Sequence, residues 1–325
     1  MKLERRIATY KNTVLIYNPV AGKLRRDTAG KMRRIVEGLQ RQGICATPRP
    51  TSVPGEATAL ARAAVQEDLD LILAVGGDGT INEIANGMVG SHIPLGILPG
   101  GTANVLAMEL GFGGRIESAI PRLAGCAPER IAVGRLTNDL GSRYFLMMAG
   151  AGLDAEIVYQ INARLKQSFG KLAYWLSSGL RLTRTVPEFD AVVSGDRIRC
   201  GFVLASRVRN YGGDLEIASG ASLIDDSFEV VLFRGRSPLR YVVYFIGVAT
   251  GMLDRFSGVT IERSQKVELP PAADRRIYIQ IDGEFAGHLP ATIEIVPDAL
   301  TLLMPSDFRQ RLGVKVTEAL APAAG

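Results

Sequence analysis

Glycines and carboxylates at the ends of apolar runs are the residues of this chain best placed for chemistry. The stretch from Asp70 to Met88 reads DLILAVGGDGTINEIANGM. Its apolar run, Leu71 to Val75, breaks into Gly76-Gly77, and a second pattern restarts at Thr80. This is the strand, glycine turn, helix order of a phosphate-binding loop. Asp78 stands inside that turn. Backbone N–H groups and a helix N-terminus attract anions, so a carboxylate among them opposes the phosphate they hold. A divalent cation between the two reverses the sign, because Mg²⁺ takes one or two carboxylates together with phosphate oxygens. A plain Asp-Gly turn is the alternative. The segment Gly77 to Asn82 satisfies neither GxxxxGK[ST] nor GxGxxG, so the P-loop and the dinucleotide fingerprint do not apply. Thr80-x-x-Glu83 fits a capping box, with Thr80 closing the helix N-terminus.

Two further loops share the pattern. Asn18-Pro19-Val20-Ala21-Gly22-Lys23 follows one apolar run, and Pro99-Gly100-Gly101-Thr102-Ala103-Asn104 follows another. Ligands of open α/β sheets bind at the carboxyl ends of strands, so three such loops on one edge describe a site. Far downstream, Ile281-Asp282-Gly283-Glu284 ends a strand-like run with two carboxylates around a glycine. It reads as a hairpin turn or as a source of catalytic carboxylates.

The elements that must position these residues fall into two textures. Up to about residue 130, strands (Thr13 to Tyr17, Ile44 to Pro48, Asp70 to Val75, Pro94 to Leu98) alternate with helices (Leu24 to Gln42, Gly55 to Glu67, and one from Thr80). That alternation predicts a parallel sheet covered on both faces. From about Ile131 the segments RYFLMMAG, FDAVVSG, RIRCGFVLAS, FEVVLFRG, RRIYIQIDGEF, ATIEIVP and LTLLMP predict an antiparallel β-rich half. The fold class is therefore α/β in two domains, 1–132 and 133–325, with the last residues expected to pack back on the first. Length and an apolar share of 47% agree with two cores. The longest uncharged run, Tyr241 to Leu253, is too short to span a bilayer and reads as a core helix. Three scattered cysteines, no signal-like N-terminal run and only two histidines predict a cytoplasmic protein without a histidine metal cluster. The net charge of +5 suits an anionic partner.

The ordered set VLIYNPVAGK, AVGGDGTINEIANG, LGILPGGTANVLAMELG, AGAGLDAEIV and IDGE resembles the diacylglycerol kinase catalytic-domain family of bacterial lipid kinases, relatives of the sphingosine and ceramide kinases. The resemblance implies a phosphofructokinase-like α/β domain, a C-terminal β-sandwich domain, ATP as co-substrate, Mg²⁺ as cofactor and a lipid alcohol as acceptor. It implies that Asn18, Gly22, Lys23, Gly76, Gly77, Gly79, Thr80, Glu83, Gly101, Thr102 and Asn104 serve the nucleotide. Asp78 would act through Mg²⁺, Glu284 as general base, and Asp154 in positioning the acceptor hydroxyl. Asp225 would help hold a second, structural Mg²⁺ beside main-chain carbonyls. The chain departs from the family where Val105 follows Asn104 in place of an acid, and where Ser219 and Asp226 replace Pro and Gly.

An NAD kinase would share GGDGT but not the downstream AGAGLDA and DGE elements. A non-catalytic lipid-binding relative would be expected to lack Asp78 or Glu284. The segment from Arg164 to Arg184 sets Leu165, Phe169, Leu172, Leu176 and Leu180 at helical spacing among basic residues, which predicts peripheral contact with an anionic membrane. Nucleic acid is not an expected partner, and a homodimer is allowed for.

Overall fold

The computed structural model describes residues 10–153, 155, 185–211, 215–272 and 276–308. The first half runs β1 (Tyr10–Tyr17), α1 (Thr28–Arg41), β2 (Ile44–Pro50), α2 (Glu56–Ala64), β3 (Leu71–Gly76), α3 (Asp78–Met88), β4 (Leu95–Pro99), α4 (Val105–Glu109) and α5 (Ile116–Leu123). Strands pair in the order β2-β1-β3-β4, all parallel. The apolar run of β3 is buried along its whole length, as a strand covered on both faces requires.

The second half begins with β5 (Cys126–Asn138), β6 (Gly141–Phe145) and β7 (Met148–Gly152). Next come β8 (Phe189–Val193), β9 (Asp196–Cys200), β10 (Phe202–Ser206), β11 (Asn210–Tyr211), β12 (Leu215–Glu216) and β13 (Phe228–Phe233). A helix, α6 (Pro238–Thr250), then leads to β14 (Val259–Ser264), β15 (Lys266–Leu269), β16 (Tyr278–Ile281), β17 (Glu284–His288) and β18 (Ala291–Pro305). Strands β14-β13-β10-β7-β16-β17 form an antiparallel sheet. It packs on β5, β6, β8, β15 and β18 through a core that includes Phe145, Phe189, Val203, Phe228, Val267, Ile279 and Ile293.

The sheet of the first half does not end at β4. Strand β18 lies parallel beside it, with Leu302 opposite Leu95, and pairs antiparallel with β5 from Ala291↔Asn138 to Pro305↔Cys126. The segments ATIEIVP and LTLLMP are thus one strand, irregular between Val296 and Leu300, where Asp298 has φ 50°. Its far end, Leu300 to Met304, is buried in the core of the α/β half.

Three expectations need correction. The first helix starts at Thr28, not Leu24, because Asp27 turns left-handed (φ 59°) and its carboxylate accepts the Gly30 N–H at 3.1 Å. Thr80 does not close the helix after β3. That helix starts at Asp78 with Gly77 as N-cap, extended at φ −84° and ψ 177°, and the Ile81 N–H returns to the Gly77 carbonyl at 3.1 Å. Helix α6, which carries Arg240 ahead of the uncharged run, is only half core: Tyr241, Tyr244, Gly247 and Val248 face inward, while Leu239 is 75% and Ile246 56% exposed.

Candidate active site

The three glycine-bearing loops meet at the carboxyl ends of β1, β3 and β4, where these strands leave the sheet. The Lys23 N–H donates to the Gly100 carbonyl at 3.0 Å, and the Gly100 N–H to the Gly76 carbonyl at 2.7 Å. Gly77 and Gly101 press together so closely that a Cβ at Gly101 would stand 2.5 Å from the Gly77 Cα. No side chain fits between the two loops. Asn18 folds its own loop, its N–H on the Val75 carbonyl (3.2 Å) and its Oδ1 accepting from Val20 (3.0 Å). Gly22 faces the Thr102 hydroxyl, and a Cβ there would lie 3.7 Å from it. Thr80, in the first turn of α3, packs over Gly76. Asn104 is buried at φ 49°, accepting from the Gly101 N–H (2.8 Å) and donating to the Gly101 carbonyl (2.9 Å). It shapes the loop from within. Burial pulls the Lys23 ammonium below its ordinary pKa, partly offset by Glu117. Glu83 sits at mid-helix, half-buried, and its carbonyl accepts the Thr58 hydroxyl at 2.8 Å.

Asp78 has work in the protein before any ligand arrives. Its carboxylate crosses to the third loop and accepts the N–H groups of Val105 (3.1 Å) and Leu106 (3.3 Å), the first residues of α4. Asn104, the N-cap residue of α4, makes no side-chain cap bond, so the cap comes from 27 positions upstream. Burial pushes the Asp78 carboxyl above its ordinary pKa, and these backbone donors pull the other way.

The second half delivers Glu284. Asp282 and Gly283 form the two-residue turn between β16 and β17 at φ 48° and 79°, the left-handed pair that a tight hairpin needs. The hairpin reading therefore holds, and the same turn carries Glu284 to the Gly76–Gly79 loop. Its Oε1 lies directly over Gly79, where a Cβ would collide with it, and Arg143 Nη2 stands 3.4 Å from its Oε2. Asp282 turns inward and accepts three N–H groups, from Leu146 (3.0 Å), Met147 (3.0 Å) and Met148 (2.9 Å). Burial pushes its carboxyl up to about 7, these donors oppose that, and the Asp78 charge adds to the rise. Asp78 and Asp282 therefore sense each other across the junction. Asn86 of α3 ties the halves together, donating to the Tyr144 carbonyl and accepting from its N–H, each at 2.9 Å.

The carboxylates of Asp78 and Glu284 and the hydroxyl of Thr102 at these loops are oxygen donors, which suit a hard divalent cation. Among the described residues no group of three or more His, Cys, Asp or Glu side chains could cage a metal by itself. That arrangement suits Mg²⁺ entering with a nucleotide, with phosphate oxygens and waters completing its shell. Asp154 lies outside the described residues, as does the segment 164–184. Asp225 lies elsewhere, its carboxylate paired with Arg263. Sequence reasoning missed Arg143, Asn86 and the inward role of Asp282. Only Asp282 had a local signal, the Asp-Gly pair of its turn.

Residues 12–136 match the model of the diacylglycerol kinase catalytic domain, and residues 147–304 that of the YegS C-terminal NAD kinase beta sandwich-like domain. The chain is 27% identical over 312 residues to the diacylglycerol kinase of Bacillus subtilis, covering 93% of this chain and 99% of that one. It is 28% identical over 308 residues to the diacylglycerol kinase of Mycobacterium tuberculosis, covering 88% of this chain and 98% of that one. A crystal structure titled as a putative diacylglycerol kinase from Bacillus anthracis shares the fold, with a TM-score of 0.77, 20% identity, and 95% and 99% of the two chains covered. Both halves thus match in order along almost the full length, with the GGDGT loop and the DGE turn brought face to face. The chain belongs to the diacylglycerol kinase catalytic-domain family, and it is an enzyme of the lipid-kinase kind.

Proposed function

We propose that this enzyme moves the γ-phosphoryl group of ATP, with Mg²⁺, onto the hydroxyl of a lipid alcohol, and that diacylglycerol is its acceptor. The observation that carries this reading is the Glu284 carboxylate seated over Gly79 of the phosphate loop. Phosphoryl transfer needs little covalent help from a protein; it needs an in-line hydroxyl, a neutralised γ-phosphate and a group to orient or accept the hydroxyl proton. Gly77 and Gly101 meet backbone to backbone with no side chain between them, which suits a loop whose main-chain N–H groups take phosphates, and Lys23 and Thr102 flank the same edge. Mg²⁺ bound through Asp78 would neutralise the phosphate oxygens. Glu284 accepts the proton of the acceptor hydroxyl, and Arg143 holds its second oxygen in place.

The test is phosphorylation from labelled ATP with Mg²⁺ across diacylglycerol, monoacylglycerol, ceramide, a sphingoid base and NAD, the lipids in mixed micelles. Labelled phosphatidic acid as the dominant product is the expected result. Labelled NADP with unlabelled lipids would sink the reading.

A lipid acceptor must be reached at a bilayer surface, and the reading includes peripheral contact with anionic membranes. No helix among the described residues is long and apolar enough to cross one. In favour of contact is the outer face of α6: Leu239, Val242, Val243 and Ile246 lie exposed on one arc, with Arg240 and Arg255 exposed beside it. Apolar area flanked by these two arginines suits the headgroup layer. The helix adjoins β12, whose partner β11 touches α4, the helix that Asp78 caps. Val243→Asp with Ile246→Asp should reduce co-sedimentation with phosphatidylglycerol vesicles at least several-fold. Turnover of a water-soluble short-chain diacylglycerol should stay unchanged. Undiminished sedimentation would remove α6 from the docking surface, and a shift from dimer to monomer would assign the face to a second copy.

A further inference from the structure

The largest fully buried side chain among the described residues belongs to a cation, Arg207, at the end of β10. Its Nη2 donates to the Leu223 carbonyl at 2.6 Å and, more distantly, to the Asp225 carbonyl at 3.5 Å; its Nη1 reaches the Leu146 carbonyl at 3.5 Å. Its Nε is buried and has no acceptor. Burial pulls the guanidinium down to about 10, while Asp226, Asp282 and Asp225 hold it up. A buried charge is tolerated only when partners offset its desolvation, and here the partners are main-chain carbonyls and nearby carboxylates.

These are the groups a structural Mg²⁺ in this loop would need. The resemblance placed such an ion beside Asp225 and neighbouring carbonyls, and the residues present do not fit it. The Leu223 carbonyl, and less closely that of Asp225, accept from Arg207, and the Asp225 carboxylate faces outward to Arg263, which also donates to the Gly220 carbonyl. A divalent ion there would meet a guanidinium of like charge. The loop is closed by other protein groups as well: Glu229 accepts the Gly220 N–H at 2.9 Å, and Gln265 donates to the Asp226 carbonyl at 3.0 Å.

Arg207 also shares a peptide segment with the site. Its own N–H donates to the Met147 carbonyl at 2.7 Å, while the N–H groups of Leu146, Met147 and Met148 all point to Asp282. The Leu146 carbonyl thus points to the guanidinium and the Met147 carbonyl to the backbone N–H of Arg207, while the N–H groups of the same two peptide units, those of Met147 and Met148, point to the Asp282 carboxylate. Bonds polarised in series this way strengthen one another in a low-dielectric interior.

We infer that the guanidinium of Arg207 is the resident cation of the 223–226 loop, standing where a structural Mg²⁺ would be required, so that this half of the enzyme is held together without a bound metal. The nucleotide's Mg²⁺ at Asp78 is a separate matter, and the test is made without nucleotide. The full chain is treated with a chelator and desalted, its metal content is measured by elemental analysis, and melting is followed with and without added Mg²⁺. Metal content well below one ion per chain and a melting temperature that shifts by no more than about 1 °C are expected. Arg207→Met, similar in length but uncharged, should melt roughly 5 to 15 °C lower, since it strands the carbonyls and the carboxylates around them. One Mg²⁺ per chain that survives desalting, with a melting temperature that falls on chelation, would overturn the inference. So would an Arg207→Met variant that melts like the wild type. If that variant does not fold, the wild-type metal content and chelation melt decide alone.

Discussion

Glu284→Gln is expected to slow turnover by a factor on the order of 10² to 10⁴ while leaving ATP affinity nearly unchanged. The change keeps shape and hydrogen-bonding reach but removes the carboxylate proposed as proton acceptor. Little structure depends on the charge: the side chain is 47% exposed and its ion partner is the similarly exposed Arg143. An exposed pair of this kind contributes about 0 to 1 kcal/mol. Stability and rate therefore separate cleanly. Stopped-flow or rapid-quench measurement of the chemical step, beside equilibrium nucleotide binding, reads the two apart. An unchanged rate would leave Glu284 a turn residue, and a large fall in melting temperature with a proportionate fall in rate would say the same. Arg143→Gln should produce a weaker effect in the same direction, because it orients the carboxylate without replacing it.

Asp78→Asn is the second large effect, and it should appear in stability as well as in rate. A carboxylate accepts from Val105 and Leu106 together, one oxygen to each. An amide offers one oxygen, and its NH₂ then faces the remaining N–H. Loss of a helix cap of this kind costs about 1 to 2 kcal/mol, and the short helix α4 has no cap of its own to fall back on. The loop from Pro99 to Asn104 should loosen, ATP affinity should fall about tenfold or more, and transfer should drop further as the metal-directed charge is lost. Melting temperature, Mg²⁺-free nucleotide binding and the Mg²⁺ dependence of the rate distinguish these contributions. A variant that melts, binds and turns over like the wild type would refute both roles.

The pH profile supplies an independent sign. Burial holds the Asp78 carboxyl above its ordinary value, so the folded chain binds a proton there at a pH where the unfolded chain has released it. The stability from this proton is present at acid pH, below the unfolded value, and is lost as pH rises through the raised one. The amide cannot titrate and should flatten that part of the profile.

What the sequence makes legible here follows from how local each feature is. The three glycine-bearing loops are visible because a buried parallel strand is a continuous apolar run and each run is followed by a loop with glycine and proline or an Asp-Gly pair. The DGE hairpin is visible because Asp-Gly supplies two left-handed residues in a row. The start of α3 is misread because Thr80-x-x-Glu83 matches a capping box, while Gly77 in extended backbone begins the helix three residues earlier. The partner of Asp78 is invisible because α4 is reached across the sheet. Most of helix α6 reads as core because the run from Tyr241 lacks charge, and no local pattern says which neighbours will cover it. Arg207 sits in SRVRN like any polar residue at a strand end; only the folding of residues 146 and 223–225 around it reveals a buried cation.

The position of β18 bears on how the chain can be made. Ribosomal synthesis is vectorial, and every strand of the β2-β1-β3-β4 sheet emerges before residue 100. Yet the edge of β4 is completed by Leu302, and β5 waits for residues 291–305 to fill its ladder. Until then the nascent α/β half exposes an unpaired strand edge and the apolar surface that Leu300, Leu302, Leu303 and Met304 later cover. Closing so long a loop is entropically slow, and topologies of high contact order stay open to aggregation while they wait. The α/β half is thus completed by a strand that follows nearly all of the second half, and its last closure waits on residues 291–305.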